Sequence, residues 1–312
     1  MSDPLALVFP GQGSQSVGMG RDLCEAFPHL REVYEEADHL LGYPISSLCF
    51  EGPKEKLNLT EFTQPALLVS SMVAFRLLEG EQVKFQAVAG HSLGEYSALV
   101  AAGGLTFPDA VGLVQKRGQY MAEAVAPGTG LVAAILGLSA EEVEAACQEA
   151  QSVGIVSAAN FNSPGQIVIA GEKAAVERAI ELAKARGCRR AMPLPVSVPV
   201  HTSLMQKAAN QFSSDVNNVS LKDLSIPLLN NAEARPLQRA EEVRLSLIQQ
   251  LPSPVLWEQS ILAMWDMGIR VFVEVGPGKV LTGLIKRIVP EAVTHHVSDP
   301  ASFEATMAQL SP

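Results

Sequence analysis

A five-residue turn, Gly90-His91-Ser92-Leu93-Gly94, constrains the fold of this chain more than any other stretch. Val83–Ala89 before it has the apolar character of a short strand, and Tyr96–Ala102 after it is small, apolar and helix-forming. In this strand–turn–helix setting, the G-x-S-x-G pattern is typical of a nucleophile elbow. The strained turn needs neighbours without side chains, and it exposes the serine at a helix N-terminus, where backbone N–H groups face a developing oxyanion. A tight strand–helix turn without chemistry is the alternative interpretation.

The composition indicates a globular chain with a sizeable core, since 47% of its 312 residues are hydrophobic and 18% are charged. The formal net charge of −10 argues against non-specific nucleic-acid binding, which needs clustered positive charge.

The chain starts without a signal-peptide pattern, and no apolar run is long enough to span a membrane. We therefore expect a cytoplasmic protein that does not bind membranes. Without a C-x-x-C pair, neither a zinc site nor a disulfide framework is predicted for the four cysteines, Cys24, Cys49, Cys147 and Cys188.

The first strand and its loop suggest a ligand-binding edge. Leu5–Phe9 is a continuous apolar run, which predicts a buried strand. The loop Pro10–Gln15 is rich in glycine, but Ser16 stands where G-x-G-x-x-G needs its last glycine, and no G-K-[ST] follows. What remains is a flexible loop at the C-terminal end of a strand, where open α/β sheets bind ligands. Gln12, between two glycines, can bring its backbone N–H close to a substrate; a simple turn is the equal alternative.

Arg117 is the second informative residue. Thr106 is a plausible cap for a helix that runs to about Ala126, and Arg117 falls on the apolar stripe of that helix with Val114 and Met121. An arginine facing a core cannot lose its proton and must find an anion. The anion is either an internal carboxylate or the carboxylate of a substrate, held by a bidentate clamp. Proximity in sequence to the elbow helix favours the substrate.

Other elements follow from periodicity and capping residues. Arg21–Leu41 is predicted to be helical, and Thr63 is predicted to cap another helix with Pro65 in its first turn. Val271–Val275 reads as a strand, and the helix that follows is expected to bury Val280.

Beyond the break at Pro127–Gly130 the pattern changes to that of a small domain. Its predicted elements are a strand (Leu131–Leu138), a helix with a capping box at Ser139 that runs to about Ala150, two strands (Ile155–Ala159 and Gln166–Ala170), a helix (Glu172–Arg186) and a strand (Arg189–Leu194). The order β-α-β-β-α-β is that of a ferredoxin-like unit. We therefore predict an α/β fold, in which residues 1–127 and 199–312 form a hydrolase-like large domain around a parallel sheet core. Residues 128–198 form the inserted ferredoxin-like small domain.

His201 is the best candidate for a catalytic base. It ends the proline-rich segment that returns the chain to the large domain, and clefts form at such crossings. His91 adjoins the serine, but the turn is expected to direct its ring away from Ser92 Oγ. The other histidines, which we expect to be exposed, are His29, His39, His295 and His296. No metal-binding constellation is predicted.

Ser92, His201 and Arg117 together predict acyl transfer or hydrolysis on an anionic acyl group. Serine is a weak nucleophile and needs a base such as the neutral imidazole of His201. The other ring nitrogen must then donate to an acceptor that fixes the ring. Because no carboxylate in the sequence is an evident candidate, a backbone carbonyl can be that acceptor. Acylation is expected to slow as His201 is protonated, near pH 6.5 if its pKa is unshifted.

Several segments together resemble the malonyl-CoA:acyl-carrier-protein transacylases, the acyltransferase family that loads bacterial fatty-acid synthesis. They span nearly the whole chain in the family's order: Phe9–Gln15, Thr63–Pro65, Gly90–Ser97, Arg117–Gly118, Asn160–Gly165, Val198–His201 and Glu274–Leu281. The resemblance implies a ping-pong reaction in which the serine attacks malonyl-CoA, CoA leaves, and the phosphopantetheine thiol of acyl carrier protein takes the malonyl group. It implies no bound cofactor.

The resemblance also implies roles for individual residues. His201 matches the family's base, and the backbone carbonyl of Gln250 matches the group that orients it. The backbone N–H groups of Gln12 and Leu93 match the oxyanion hole, and Arg117 matches the arginine that pairs with the malonyl carboxylate. Positions that match the lining of the pocket are Gln64, His91 and Asn162.

Val200 departs from the family pattern, which often has a small polar or an aromatic residue before the histidine. This departure bears on which substituted malonyl units fit, not on the reaction.

Acyl carrier protein is acidic, so the resemblance implies a basic rim around the site. The candidates are Lys184, Arg186, Arg189, Arg190, Lys286 and Arg287. A solvated charged face is the alternative interpretation. We expect a monomer that meets its carrier only transiently.

Three rival functions share part of this chemistry. The first is an acyltransferase that serves a polyketide synthase in trans, which differs only in its carrier. The second is a hydrolase, in which water replaces the thiol. The third is a carrier-binding module without catalysis.

Overall fold

The computed structural model describes residues 3–126, 128–194, 196 and 198–310. Its strands are β1 (Leu5–Phe9), β2 (Ala87–Gly90), β3 (Gly130–Leu136), β4 (Val156–Ser163), β5 (Gln166–Glu172), β6 (Arg190–Pro193), β7 (Leu228–Leu229), β8 (Pro236–Leu237), β9 (Val271–Val275) and β10 (Val293–Val297). Its α-helices are α1 (Arg21–Ala26), α2 (Arg31–Leu41), α3 (Ile45–Glu51), α4 (Lys54–Leu57), α5 (Thr60–Gly80), α6 (Gly94–Ala101), α7 (Phe107–Glu123), α8 (Ala140–Ala150), α9 (Lys173–Ala185), α10 (Gln206–Asn218), α11 (Ala240–Gln250), α12 (Trp257–Asp266), α13 (Val280–Ile288) and α14 (Pro300–Leu310).

The larger sheet has the strand order β10-β9-β1-β2-β7-β8 over the described residues, and every pairing in it is parallel except that of β7 with β8. The central strand β1 is apolar throughout because helices cover both faces of the sheet. Leu7 and Phe9 pack into the layer that contains α5, α6 and α7, whereas Ala6 and Val8 pack into the layer of α12 and α13. The predicted strands Leu5–Phe9 and Val271–Val275 are confirmed.

The smaller sheet is antiparallel, with the order β4-β5-β3-β6. This is the ferredoxin-like order, and α8 and α9 cover one face of the sheet around a separate apolar cluster. The capping box predicted at Ser139 is present: its hydroxyl accepts from the N–H of Glu142, whose carboxylate accepts from the N–H of Ser139. The α/β fold class, with a parallel core and an antiparallel ferredoxin-like unit, is therefore confirmed.

The edge strand β4 joins the two units. The N–H of Val255 donates to the carbonyl of Ala159 at 2.9 Å, and the carbonyl of Val255 accepts from the N–H of Phe161 at 2.9 Å. The domain boundaries predicted after residues 127 and 198 stay a prediction. The start of the predicted break, Pro127, lies outside the described residues, as do Pro195 and Ser197 in the returning segment.

Two helix predictions were wrong at their boundaries. The long helix begins at Thr60, because the N–H groups of Phe62 and Thr63 already donate to the carbonyl of Leu59. Thr63 is therefore not a cap, and Pro65 lies inside the helix. The predicted helix Arg21–Leu41 is broken at Phe27–Leu30, where Pro28 starts a 3₁₀ turn.

Some predictions of strand position and burial were also wrong. The strand before the elbow is Ala87–Gly90, since the chain from Val83 still packs against the end of α5. Val280 is 51% exposed because it opens α13 at the mouth of a cleft. His295 and His296 are half-buried rather than exposed, because they lie in strand β10, which no apolar run had marked. No helix in the described part of the chain is long and apolar enough to cross a bilayer.

Candidate active site

The turn between β2 and α6 has the geometry of a nucleophile elbow. Ser92 has a φ of 52°, in the left-handed region that costs a residue with a side chain about 1–2 kcal/mol. A Cβ on Gly90 would lie 1.8 Å from the carbonyl carbon of Gly94, and a Cβ on Gly94 would lie 2.1 Å from the carbonyl oxygen of Phe9. Both glycines are therefore required by close backbone approach, and the strain at Ser92 is held by packing on both sides.

Ser92 and His201 form a hydrogen-bonded pair. Ser92 Oγ lies 2.7 Å from His201 Nε2, although the two residues are 109 positions apart. The other ring nitrogen, Nδ1, lies 3.0 Å from the carbonyl oxygens of both Gln250 and Ser253. Because carbonyls only accept, Nδ1 carries the proton and Nε2 is free to accept the proton of Ser92. Among the residues that the structure describes, no carboxylate bonds to this imidazole.

His201 is held in its neutral form. Its side chain is buried, and burial, followed by the positive charge of Arg117, lowers its pKa from 6.5 to about 3. The two carbonyls that accept from Nδ1 oppose this shift but do not outweigh it. The expectation of a titration near pH 6.5 therefore does not hold for this histidine.

Arg117 is fully buried on α7 and lies beside the nucleophile. Its Nη2 donates to Ser92 Oγ at 3.1 Å and to Gln250 Oε1 at 3.0 Å, and its Nη1 donates to Gln64 Oε1 at 2.5 Å. Its guanidinium carbon lies 5.5 Å from the ring centroid of Tyr96. All the acceptors are neutral, and no carboxylate of the described residues lies within 4.0 Å of the guanidinium nitrogens. Of the two interpretations of this arginine, the internal salt bridge is thus not found.

Gln64 links the arginine to the loop after β1. Its Nε2 donates to Gln12 Oε1 at 3.3 Å, and Gln12 Nε2 donates to Thr60 Oγ1 at 3.2 Å. The loop is also held against the elbow, since a Cβ on Gly11 would lie 2.3 Å from the carbonyl oxygen of His91. The residues predicted from three distant segments are thus joined in one network.

Two backbone N–H groups at this junction are unused. Neither the N–H of Gln12 nor that of Leu93 donates a hydrogen bond to another described residue. Leu93 is also the N-cap of α6, which has no side-chain cap. Free donors at the start of a helix are suited to an oxyanion.

Three residues of the site were missed by sequence reasoning. Asn231 accepts from the N–H of Ser92 at 2.6 Å and donates to the carbonyl of Gly90 at 2.7 Å, which braces the elbow. Glu95 accepts from the N–H of Asn231 and from Gln250 Nε2, both at 2.9 Å. Ser253 supplies a second carbonyl to His201. A polar pair directly after a buried strand, Asn230-Asn231, is a signal that would have found the first.

Gln250 contributes more than the predicted backbone carbonyl. Its side-chain Nε2 donates to the carbonyl of Ser92 at 3.0 Å and to Glu95, while its Oε1 accepts from Arg117. One residue therefore contacts the nucleophile, the base and the arginine. Its place at the end of α11 gave no sign of this, because the contacts form across the fold.

The site opens into a cleft between the two sheets. Its walls come from both, and they include Gln12, His91, Asn162, Val200 and Leu284. His91 Nε2 donates to Asn162 Oδ1 at 2.8 Å, so these two predicted pocket residues tie the elbow to β4. At the mouth of the cleft, Arg287 on α13 donates to Gln166 on β5.

The predicted basic residues do not all lie on one side of the small sheet. Arg190 and Gln166 both pair with Leu136 in the register of the small sheet, so their side chains share the face that lines the cleft, on the same side as Arg287. Arg186 instead pairs with Glu149 at 2.9 Å on the helical side of that sheet. The remaining candidates, Lys184, Arg189 and Lys286, are exposed.

Comparison with known proteins gives a consistent result. The acyl transferase domain family matches residues 6–303 of this chain. The malonyl CoA-acyl carrier protein transacylase of Haemophilus influenzae is 49% identical over 302 residues, which cover 96% of this chain and 97% of that protein. Within the described residues, no group of three or more His, Cys, Asp or Glu side chains is placed to hold a metal ion.

Solved structures agree in fold over the same length. The malonyl CoA-acyl carrier protein transacylase from Coxiella burnetii has a TM-score of 0.97 and 42% identity, covering 100% of this chain and 99% of that one. A malonyl-transacylase in complex with a type II PKS acyl-carrier protein has a TM-score of 0.96 and 45% identity, covering 98% and 99%.

Proposed function

Since this chain belongs to the acyl transferase domain family, we propose that it transfers the malonyl group from malonyl-CoA to the phosphopantetheine thiol of acyl carrier protein. The contact between Arg117 and Ser92 carries the proposal. A buried guanidinium with no carboxylate of the described residues within 4.0 Å lies 3.1 Å from the nucleophilic oxygen, so a receptor for an acyl carboxylate lies beside the atom that is acylated. The names of these two similar proteins state the same acyl group and carrier.

The first half-reaction loads the serine. Ser92 Oγ gives its proton to His201 Nε2 and attacks the thioester carbonyl, so that an O–C bond forms as the C–S bond breaks. The imidazolium then returns the proton to the sulfur of CoA, which leaves as the thiol. The carbonyls of Gln250 and Ser253 stabilise the imidazolium and fix its orientation without adding a charge.

The unused N–H groups of Gln12 and Leu93 serve as the oxyanion hole. They are free donors on the two segments that border Ser92, and the charge that develops on the thioester oxygen needs such donors. Gln64 and Thr60 hold the Gln12 side chain and therefore the loop that carries this N–H.

Arg117 selects the acyl group. Before substrate binds, its Nη atoms donate to neutral acceptors, which an incoming carboxylate displaces in favour of charge-assisted hydrogen bonds. Such bonds are worth about 1.5–3 kcal/mol, which favours malonyl over acyl groups without a free carboxylate.

The second half-reaction repeats the chemistry with a thiol. His201 takes the proton of the phosphopantetheine thiol, the sulfur attacks the malonyl ester, and the proton passes to Ser92 Oγ as the ester breaks. His91, Asn162 and Val200 line the cleft through which the pantetheine arm enters. The malonyl group on the carrier is then available for fatty-acid synthesis.

For the carrier we propose docking at the mouth of the cleft, over Arg190 and Arg287. Arg190 lies on β6 with its side chain on the same face of the small sheet as Gln166, and Arg287 on α13 donates to Gln166, so an acidic carrier would contact both units. Arg189 is the exposed neighbour of Arg190. Lys184 lies on α9, on the helical side of the small sheet where Arg186 pairs with Glu149, and Lys286 donates to the carbonyls of Pro290 and Ala292. The cytoplasmic location and the monomeric state stay predictions from the sequence.

Intact mass spectrometry tests the proposal. With malonyl-CoA alone, the protein should gain the mass of one malonyl group on Ser92. Adding holo acyl carrier protein should remove the adduct and place malonyl on the carrier, whereas the apo carrier, which lacks the thiol, should not.

The rivals give different results in the same experiment. A hydrolase would release malonate without carrier, and a carrier-binding module would form no adduct. Carriers from a fatty-acid and a polyketide pathway, compared at equal concentration, should differ in rate in favour of the fatty-acid carrier.

A further inference from the structure

Glu95 is a buried carboxylate that the mechanism above does not use. It lies on the first turn of α6 and is 0% exposed. Its Oε2 accepts from the N–H of Asn231 and from Gln250 Nε2, both at 2.9 Å. Its Oε1 has no hydrogen-bond partner among the described residues. An isolated buried carboxylate is costly, so a compensating charge is expected nearby.

Arg117 has the complementary deficiency. It is also 0% exposed, and its Nε has no hydrogen-bond partner in the described part of the chain. The Gln250 amide connects the two charges, since its Nε2 donates to Glu95 at 2.9 Å and its Oε1 accepts from Arg117 at 3.0 Å. A cation and an anion joined through one amide form a bridged ion pair, in which the orientation of the amide is fixed at both ends.

Resting on the proposed function, we infer that the carboxylate of Glu95 balances the charge of Arg117 when the site is empty, and that the carboxylate of an incoming malonyl group replaces Glu95 in this role. Glu95 then takes one proton from solvent as malonyl binds and releases it when the acyl group leaves. The physical reason is charge balance: two carboxylates around one guanidinium leave an excess negative charge in a site that is buried from water. The acyl carboxylate contacts Arg117 directly, whereas Glu95 acts through Gln250, so Glu95 is the one that is protonated.

The surroundings of Glu95 are consistent with such an exchange. Burial raises its pKa from 4.5 to about 7, and hydrogen bonds from Gln250 and Asn231, followed by the charge of Arg117, oppose that rise. The other titratable groups around it are Tyr96 on the same helix, whose pKa is raised, and His201 beyond Ser92, which is neutral. From α5, the side chain that contacts Arg117 is the uncharged amide of Gln64.

Calorimetric titration in buffers of different ionisation enthalpy tests the inference. Ser92→Ala protein is titrated at about pH 7.5 with malonyl-CoA and, separately, with acetyl-CoA, which lacks only the carboxylate. We expect malonyl-CoA to draw up to one more proton per site than acetyl-CoA. In a Glu95→Gln, Ser92→Ala protein the extra uptake should vanish, and the preference for malonyl-CoA over acetyl-CoA should rise several-fold, because Arg117 has lost its resident partner.

Glu274→Gln is the matched control, because Glu274 is equally buried but its hydrogen bonds within the described residues come from Leu281 and Thr282 at the start of α13. It should leave the extra uptake unchanged. Equal proton uptake for the two thioesters in the Ser92→Ala protein would overturn the inference, and this comparison does not depend on whether the Glu95 variant folds. The proposed function fails separately, if wild-type protein forms no malonyl ester.

Discussion

The β2–α6 turn and the β9–α13 turn lie on either side of the strand end of β1, and both are rich in glycine, yet only one holds a reactive group. In the second turn, Glu274 on β9 accepts from the N–H groups of Leu281 and Thr282 at 3.0 and 2.7 Å, so the helix start is satisfied within the chain. In the first turn, α6 has no side-chain cap and Ser92 stands at a φ of 52°.

The two buried carboxylates explain the difference. Glu274 precedes its helix and points at the N–H groups that begin it, as a capping anion does. Glu95 lies inside its helix and accepts from Asn231 and Gln250 instead. The N–H of Leu93 is therefore left for a ligand. Because the N–H groups of Gly94 and Glu95 donate to the carbonyls of His91 and Ser92, the free N–H of Leu93 is what distinguishes this turn from the other.

Removing the nucleophile should have the largest effect. Ser92→Ala should lower malonyl transfer by about 10⁴-fold or more, because no other group replaces the oxygen that forms the ester. Thermal denaturation should show a folded protein, since the hydroxyl contributes only its bonds to His201 and Arg117. A malonyl adduct on the variant would place the nucleophile elsewhere.

Removing the cation that faces the first turn should have the next largest effect. Arg117→Ala should slow malonyl transfer by roughly 10- to 150-fold, the equivalent of about 1.5–3 kcal/mol. Transfer of acetyl, which has no carboxylate to lose, should change much less. Steady-state rates with both thioesters measure this, with Arg76→Ala, an exposed arginine paired with Glu79, as the control. Equal losses for both acyl groups would contradict the assigned role.

Glycines in the two turns should differ in what they tolerate. Gly90→Ala should destabilise the fold by more than about 3 kcal/mol, because its Cβ would overlap the backbone of Gly94. Gly278→Ala should cost only about 1–2 kcal/mol, since its φ of 85° is unfavourable but its Cβ would meet nothing closer than 3.9 Å. Urea denaturation of both variants measures the difference, and similar losses would mean that the two turns are equally constrained.

The pH dependence should show the smallest effect. At saturating malonyl-CoA, the acylation rate should change by less than about twofold between about pH 6 and 7.5, because His201 has a pKa of about 3. The unfolded chain binds a proton at His201 near pH 6.5, whereas the folded protein binds it only near pH 3. The contribution of the neutral imidazole to the free energy of unfolding is therefore present above pH 6.5 and is lost as the pH falls from 6.5 toward 3. Rapid-quench acylation across this range measures the rate, and a halving near pH 6.5 would contradict the burial of the imidazole.

Local chemistry made much of the fold predictable. Patterns of adjacent residues predicted four features that the structure contains: the strands Leu5–Phe9 and Val271–Val275, the cap at Thr106 and the capping box at Ser139. Boundaries that depend on distant packing were not predictable. The start of α5 is set by hydrogen bonds to Leu59, and β10 is a strand because it pairs with β9.

The sequence by itself determined the kind of chemistry. Three local patterns indicate it: a serine between two glycines, an arginine on the apolar stripe of a helix, and a histidine at the end of a proline-rich segment. Each pattern has its physical reason within a few neighbouring residues. Only the tertiary structure decided the arrangement. It brings Ser92 within 2.7 Å of His201 and within 3.1 Å of Arg117, and it places Glu95, Asn231 and the Gln250 amide among them. Those contacts join residues 25 to 155 positions apart, and burial and hydrogen-bond partners at that range follow from packing, which no local pattern specifies.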